Sequence, residues 1–445
     1  MKDKPVSVDY DKASAKSIYE FSLRLFGKSL SQVVNLPPEV ENKRNRGDLG
    51  SLVEKYFFKH IPASNKGPDF PLAELELKTT GVVRISSNKF KAKERLVLGM
   101  INFDKIIQEK WNDASVISKC RKMLILFYQF EKDVPVIDRI FVLPSMLYEL
   151  PEADLPIIRK DWELIQKKVL EGKAHELSEG DTFYLGACRK GAGGEGEPLR
   201  SQPFSPIGAK SRAFSFKQNY LNFLIEGHGF VENELATTPD ISIDLATQQR
   251  FSSYEGMSVS QISDEFNFQK KGKNHKNFHR ELAVKILTKN HGAIPELRKA
   301  GIELKTIRVK KSGMPREAMS FPGFDFMQLL DESWEDSSFF EKIESKFLFV
   351  VFKEDSDGVE KFQFARYWNM PYEDRLEAHR VWEETKRRIS IDATNLPSSK
   401  ESVVAHVRPK GRDGNDKAIT PQGTMHLKQC FWLNAKYIQK ILDTI

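Results

Sequence analysis

The sequence is poor in everything that would tie the chain to a membrane, an oxidising compartment or a redox cofactor. Its three cysteines, Cys120, Cys188 and Cys430, are odd in number and far apart. Neither a disulfide framework nor a cysteine-rich zinc site is expected, which points to a reducing, cytoplasmic setting. No stretch approaches the roughly 18 apolar residues that cross a bilayer. Met1-Lys2-Asp3-Lys4 leads into no apolar run of a secretory signal, so no membrane partner is expected. The glycines from Gly191 to Gly196 lack the strand-and-acid context of a dinucleotide fingerprint, which disfavours a Rossmann-type metabolic enzyme. Charge is nearly balanced: 69 Lys and Arg against 62 Asp and Glu leave +7, compatible with nucleic acid but not diagnostic of it.

At 445 residues the chain exceeds one ordinary core, and two domains of about 200 residues each are expected. The most informative stretch runs from Asp69 to Thr79. Leu75 and Leu77 alternate with Glu76 and Lys78, the period of a strand, so the carboxylate and the ammonium share the face opposite the core. With Asp69 just upstream, two carboxylates can hold a hard cation such as Mg²⁺. The lysine can then orient a water or stabilise charge on a phosphate. Taken alone, such a strand is ordinarily half-solvated with surface charges. Upstream, residues 47–58 read as a helix carrying Glu54. Downstream, Arg84 to Lys93 reads as a basic turn, Leu96 to Phe103 as a strand and Met123 to Tyr128 as a central strand. A helix runs from Leu150 through Trp162 to Leu170. Arg189 and Lys190 open a glycine-rich loop, with further basic residues at Lys210, Arg212 and Lys217, a pattern suited to a phosphate backbone.

The chain then repeats itself. Glu296, Glu303 and Lys305 fall at the stations of Asp69, Glu76 and Lys78 with identical spacing. Asn102-Phe103-Asp104 resembles Gly323-Phe324-Asp325, the run from Lys119 resembles that from Lys346, and Leu150-Pro151 with Trp162 resembles Met370-Pro371 with Trp382. Arg189-Lys190-Gly191 resembles Arg408-Pro409-Lys410-Gly411, and Lys217-Gln218 resembles Lys428-Gln429. Ordered landmarks argue for duplicated domains, divided here into residues 1–235 and 245–445. The halves are not equivalent. Matching Leu52 with Leu282 puts Val284 where Glu54 stands, with Glu281 one turn away, and Glu296 is longer than Asp69. The first domain is therefore expected to cut and the second to bind DNA, cutting poorly or not at all.

Gly47-x-x-Gly50-x-Leu52-x-Glu54 followed by Asp69-x6-Glu76-x-Lys78 resembles the mismatch-repair nicking endonuclease MutH. Over nearly its whole length the tandem arrangement resembles the MutH-related type II restriction endonucleases that cut at GATC. The blocks 93–98, 172–180, 319–321, 332–336 and 406–409 carry the same likeness. The resemblance implies an α/β fold of two tandem MutH-like domains, each a mixed central sheet flanked by helices. It implies a PD-(D/E)xK site in the first domain: Asp69, Glu76 and the Leu77 carbonyl on Mg²⁺, Glu54 as an accessory acid, Lys78 at the attacking water, and Lys119 as an additional lysine. It implies 5′-phosphate and 3′-hydroxyl ends, and a second domain that binds effector DNA. Expected partners are two duplex sites, a second copy pairing on DNA, and a cognate DNA methyltransferase in a prokaryotic cytoplasm. Arg189, Lys190, Arg212, Lys217, Arg408, Lys410 and Lys428 are the expected DNA contacts. A MutH-like nickase and a non-cleaving DNA-binding protein are the alternatives.

Overall fold

Successive side chains of Met123-Leu124-Ile125-Leu126-Phe127-Tyr128 point to opposite faces of a strand, yet none is more than 6% exposed. Such a strand has to lie inside a sheet covered on both sides. A computed structural model places it there; the structure describes residues 10–41, 48–60, 67–191, 198–227, 243–270, 272, 275–288 and 295–445.

The first half contains β1 (Glu76–Ser86), β2 (Lys89–Ala92), β3 (Leu96–Met100), β4 (Lys122–Gln129) and β5 (Phe141–Glu149), then β6 (Leu185–Arg189), β7 (Arg200–Gln202), β8 (Ser205–Ala209) and β9 (Arg212–Phe216). The main sheet runs β2-β1-β4-β5, with β1 and β4 parallel and the other pairs antiparallel. A smaller antiparallel sheet runs β3-β9-β6, and β7 and β8 form a hairpin. Met123, Ile125 and Phe127 enter one core with Ile158 and Trp162 of the helix Leu155–Leu170 and Phe216 of β9. Leu124 and Leu126 enter a second core with Ile18, Val53 and Phe57 from the N-terminal helices. The segment from Arg84 to Lys93, expected as a turn, is instead the β1–β2 hairpin. Val82 pairs with Ala92, both fully buried, while the charged positions face outward.

The second half contains β10 (Glu303–Val309), β11 (Met319–Phe324), β12 (Phe347–Glu354), β13 (Glu360–Trp368), β14 (Ala405–Pro409), β15 (Lys417–Ile419), β16 (Met425–Leu427) and β17 (Gln429–Leu433). Its sheets run β10-β12-β13 and β11-β17-β14, with a β15–β16 hairpin. The first half's connectivity thus recurs strand for strand except at β2, whose place is taken by a single bridge between Val309 and Pro315. The parallel register recurs as well: Glu76 lies opposite Met123, and Glu303 opposite Phe347.

This register corrects three of the landmark pairings. Met123 corresponds to Phe347, so Lys346 matches Lys122 rather than Lys119. Lys217 follows β9 whereas Lys428 precedes β17, so the two are not equivalent. Asn102 matches Asp325, each capping the next helix by accepting two backbone N–H groups. The glycine-rich loop at 192–197, Gly47 and the boundary between 235 and 245 lie outside the described residues. No helix among the described residues is long and apolar enough to cross a membrane.

The halves meet through polar groups set in apolar surroundings. Lys299 of the helix Pro295–Ala300 places its ammonium 2.7 and 3.0 Å from the two oxygens of buried Asp154. Arg375 donates to the Glu176 carbonyl at 2.6 Å, Asn369 donates to Asp181 at 3.1 Å, and Phe183 meets Tyr367 edge-on. Gly180 is a glycine of necessity. A Cβ there would stand 2.8 Å from the Asn369 Cβ and 2.9 Å from the Glu344 carbonyl.

Candidate active site

The chain turns back on itself before β1, and that turn builds the site. Phe70 and Leu75 exchange backbone hydrogen bonds of 2.9 and 3.1 Å around a 3-10 turn at Pro71–Ala73, and Glu74 takes a left-handed φ of 51°. Asp69 is thereby laid alongside the strand, where the Leu77 N–H donates to its Oδ2 at 2.8 Å. β2 joins β1 only from Val82 onward, which leaves this edge of β1 without a strand at Leu77 among the described residues.

Leu75 and Leu77 face the core, as the alternation requires. Glu76 departs from the surface-charge reading, because it is only 1% exposed. Its Oε1 lies 2.5 Å from the Lys78 Nζ and 3.5 Å from the Lys119 Nζ. Lys119 arrives from the helix Ser115–Cys120, directly before β4. The other oxygen, Glu76 Oε2, is buried without a hydrogen-bond partner. A buried carboxylate oxygen normally has a donor or a cation for a partner, so this oxygen is chemically suited to a cation.

Glu54 lies in a π-helical turn, Val53–Phe57, whose signature is the Phe58 N–H donating to Val53 O at 3.0 Å. Burial pushes its carboxyl up to about 7, helped by the negative charges of Asp69 and Glu76 and opposed by Lys78 and Lys119. All five residues singled out in the sequence are thus near enough to act on one another. His60, which the sequence does not single out, stands beside Phe70 at 5.1 Å with its Nε2 buried and unpartnered.

Among the described residues, no three His, Cys, Asp or Glu side chains are drawn together tightly enough to hold a metal. The carboxylates nearest β1 are Asp69, held by the Leu77 N–H, and Glu76, held by Lys78 and Lys119. That donor set still suits Mg²⁺, which takes one or two carboxylates and fills its octahedron with waters and substrate phosphates. A three-carboxylate set including Glu54 is not what the side chains form.

The second station differs. Glu303 and Lys305 hold the places of Glu76 and Lys78, and Lys342, one residue off the register of Lys119, puts its Nζ 2.6 Å from Glu303 Oε1. Glu281 is turned to His275 at 3.0 Å, and buried Glu296 lies close enough to Tyr184 and Tyr367, whose phenols burial pushes up, for its charge to add to that rise. Glu296 therefore keeps Asp69's place in the chain, in a setting shared with tyrosines of the joint.

The expected DNA contacts divide. Arg212, 2% exposed, donates to the carbonyls of Ala187 and Leu177. Lys217 donates to Thr182 O at 2.5 Å, and burial lowers its pKa to about 8. Neither is placed to meet a phosphate: Arg212 starts β9, the middle strand of its sheet with all five residues buried, and Lys217, just after it, is itself buried. Arg189 is engaged across the joint by Glu335 at 2.9 Å, as is Lys210. Lys190 is half-buried, Lys410 and Arg408 are exposed, with Arg408 stacked on Trp432 at 4.0 Å, and Lys428 pairs with Asp416 at 2.7 Å.

Against known proteins, the family described as the DNA mismatch repair enzyme MutH matches the chain twice, at residues 58–161 and 287–378. The type II restriction enzyme Sau3AI of Staphylococcus aureus is 31% identical over 91% of this chain and 94% of its own length. MutH proteins of Shewanella sp. (strain MR-7) and Shewanella amazonensis are each 27% identical over 34% of the chain, covering 67% and 66% of those proteins.

Proposed function

Since the chain belongs to the family of MutH-related type II restriction enzymes, we propose that it is a Mg²⁺-dependent type II endonuclease that cuts double-stranded DNA at a short site, GATC. The observation that carries this reading is Glu76: a buried carboxylate with one oxygen held by two lysines and the other oxygen free for a cation. Asp69 and Glu76 would hold the ion, beside the open edge at the Leu77 carbonyl. Bound Mg²⁺ supplies neutralisation of the scissile phosphate and acidifies water. Lys78, tethered to Glu76, orients the attacking water and offsets the charge that grows on the phosphate. The water oxygen bonds to phosphorus as the bond to the 3′ oxygen breaks, leaving a 5′-phosphate and a 3′-hydroxyl. Lys119 holds Glu76 from the other side. Glu54, with a pKa of about 7, can take or release a proton at the edge of the site.

The test is a supercoiled plasmid carrying unmethylated GATC sites, incubated with Mg²⁺ and mapped at its ends. Cuts confined to GATC support the reading, and an untouched plasmid at every sequence removes it. A plasmid left only nicked favours a strand-nicking repair enzyme.

Two further outcomes follow from the geometry. Lys119→Met should slow single-turnover cleavage by about 10- to 100-fold, as expected for a residue that orients a metal ligand without holding the metal. Measured rates equal to wild type would remove Lys119 from the site. The raised Glu54 pKa means that, without metal, the folded chain keeps a proton between about pH 4.5 and 7 that the unfolded chain has lost. This group therefore contributes less to stability as pH rises through that window. Mg²⁺ binding near pH 6.5 should release a proton, seen by calorimetry in buffers of differing ionisation enthalpy. The release should vanish in Glu54→Gln.

A further inference from the structure

The copy of the site at β10 has its charge inverted. Counting from Leu52 and Leu282, Gly50 and Glu54 of the first half fall at Arg280 and Val284 of the helix Phe278–Thr288, so an acid is lost and a cation gained. Glu54, whose own carboxyl is half protonated near pH 7, acts on and is acted on by Asp69, Glu76, Lys78 and Lys119, so two full carboxylates and a partial one stand against two ammonium groups and leave no net positive charge. Lys305 is surrounded by Glu303, Lys342, Lys410 and Arg280, giving one carboxylate against four cations, three net positive charges. A phosphate group brings negative charge. The first site needs a dication before it can accept one, whereas the second does not.

The second site also has room. A cavity of about 710 Å³ is lined by Arg280, Arg298, Glu303 and Lys305, and its opposite wall is the first half's helix Gln218–Glu226. Lys305 also lines an adjoining cavity of about 590 Å³, with Lys276 and Arg308. Arg298 and Arg308 are matched by Glu226 and Glu360. Among the described residues no carboxylate comes within 4.0 Å of the Lys305 or Arg280 cations, and Lys342 alone is tied to Glu303.

We propose that this second station is a metal-independent phosphate site, in which Lys305, Lys342 and Arg280 hold a phosphate group directly where the first station requires Mg²⁺. The group can be a backbone phosphate of duplex DNA or a free phosphate; the chemistry of capture is the same. The inference goes beyond cleavage by the first site and does not depend on it.

The test uses the full chain in EDTA, in two arms: calorimetric titration with inorganic phosphate, and anisotropy with a labelled duplex. Wild type should bind without divalent ions, and Lys305→Gln with Lys342→Gln should weaken binding at least tenfold in one arm or both. Loss in the duplex arm alone identifies a backbone phosphate, and the log–log salt slope should then fall by about 1 per contact removed. Loss in the phosphate arm alone identifies a free ion. The charge-conserving pair Lys305→Arg with Lys342→Arg should retain binding, which separates lost charge from lost fold. The proposal is overturned if the glutamine pair binds both probes like wild type. It is equally overturned if the arginine pair, folded, loses as much as the glutamine pair, or if wild type binds neither probe until Mg²⁺ is added. Because the readout is binding without metal, failure of cleavage at the first site leaves it untouched.

Discussion

Glu76→Ala is expected to stop cleavage while leaving duplex binding in Ca²⁺ in place. The side chain is 1% exposed and carries both ammonium groups of the site on one oxygen, so no surface residue can substitute for it. Its removal would delete the proposed metal ligand and leave Lys78 and Lys119 without their shared anion. Losing a metal contact that stabilises the transition state by several kcal/mol lowers the rate by roughly 10³-fold or more. Glu76→Gln preserves shape while removing charge and should fail equally, which separates chemistry from packing. Single-turnover cleavage of a GATC duplex reads the effect, and residual cutting within tenfold of wild type would sink the assignment.

The second large effect belongs to the joint. In Lys299→Met, the Asp154 carboxylate, 2% exposed, would lose both ammonium contacts and, among the described residues, keep the Tyr220 hydroxyl at 2.7 Å. Stranding a buried charge in this way costs about 3–5 kcal/mol. Thermal unfolding should begin at lower temperature, and limited proteolysis should separate the halves sooner. The double variant Lys299→Met with Asp154→Asn should recover part of the loss, since nothing charged is then left behind. An unchanged melting curve for the single variant would mean that the halves do not depend on this pair.

Much of this was legible in the chain itself. The alternation around Glu76, the doubly buried run at Met123–Tyr128 and the repeat at Glu303 and Lys305 are local patterns, and local patterns survive in sequence. The burial of Arg212 and Lys217 was not legible. A basic residue beside glycines looks like a phosphate contact, and only the sheet order makes β9 a central strand, with Arg212 on it and Lys217 just after it spending their cations on carbonyls. Lys342 was hidden for another reason. It reaches Glu303 from one residue off the register of Lys119, a displacement the helix before β12 absorbs but an alignment by spacing does not. Arg189 was legible as a cation, but its partner Glu335 lies 146 positions away.

The π-helical turn at Val53–Phe57 bears on how such a site can be lost. A π turn holds one more residue than the α turn it replaces, and one residue of helix is worth about 100° of rotation. Deleting a single residue between Leu52 and Phe58 would restore regular winding and swing the acid at this station away from Asp69 and Glu76. No catalytic side chain need be substituted for that to happen. The corresponding helix of the second half, Phe278–Thr288, runs as an unbroken α-helix with valine at the equivalent station. In a duplicated gene, a one-codon deletion in this turn of one copy would by itself displace that copy's acid, with every other residue of its site left in place.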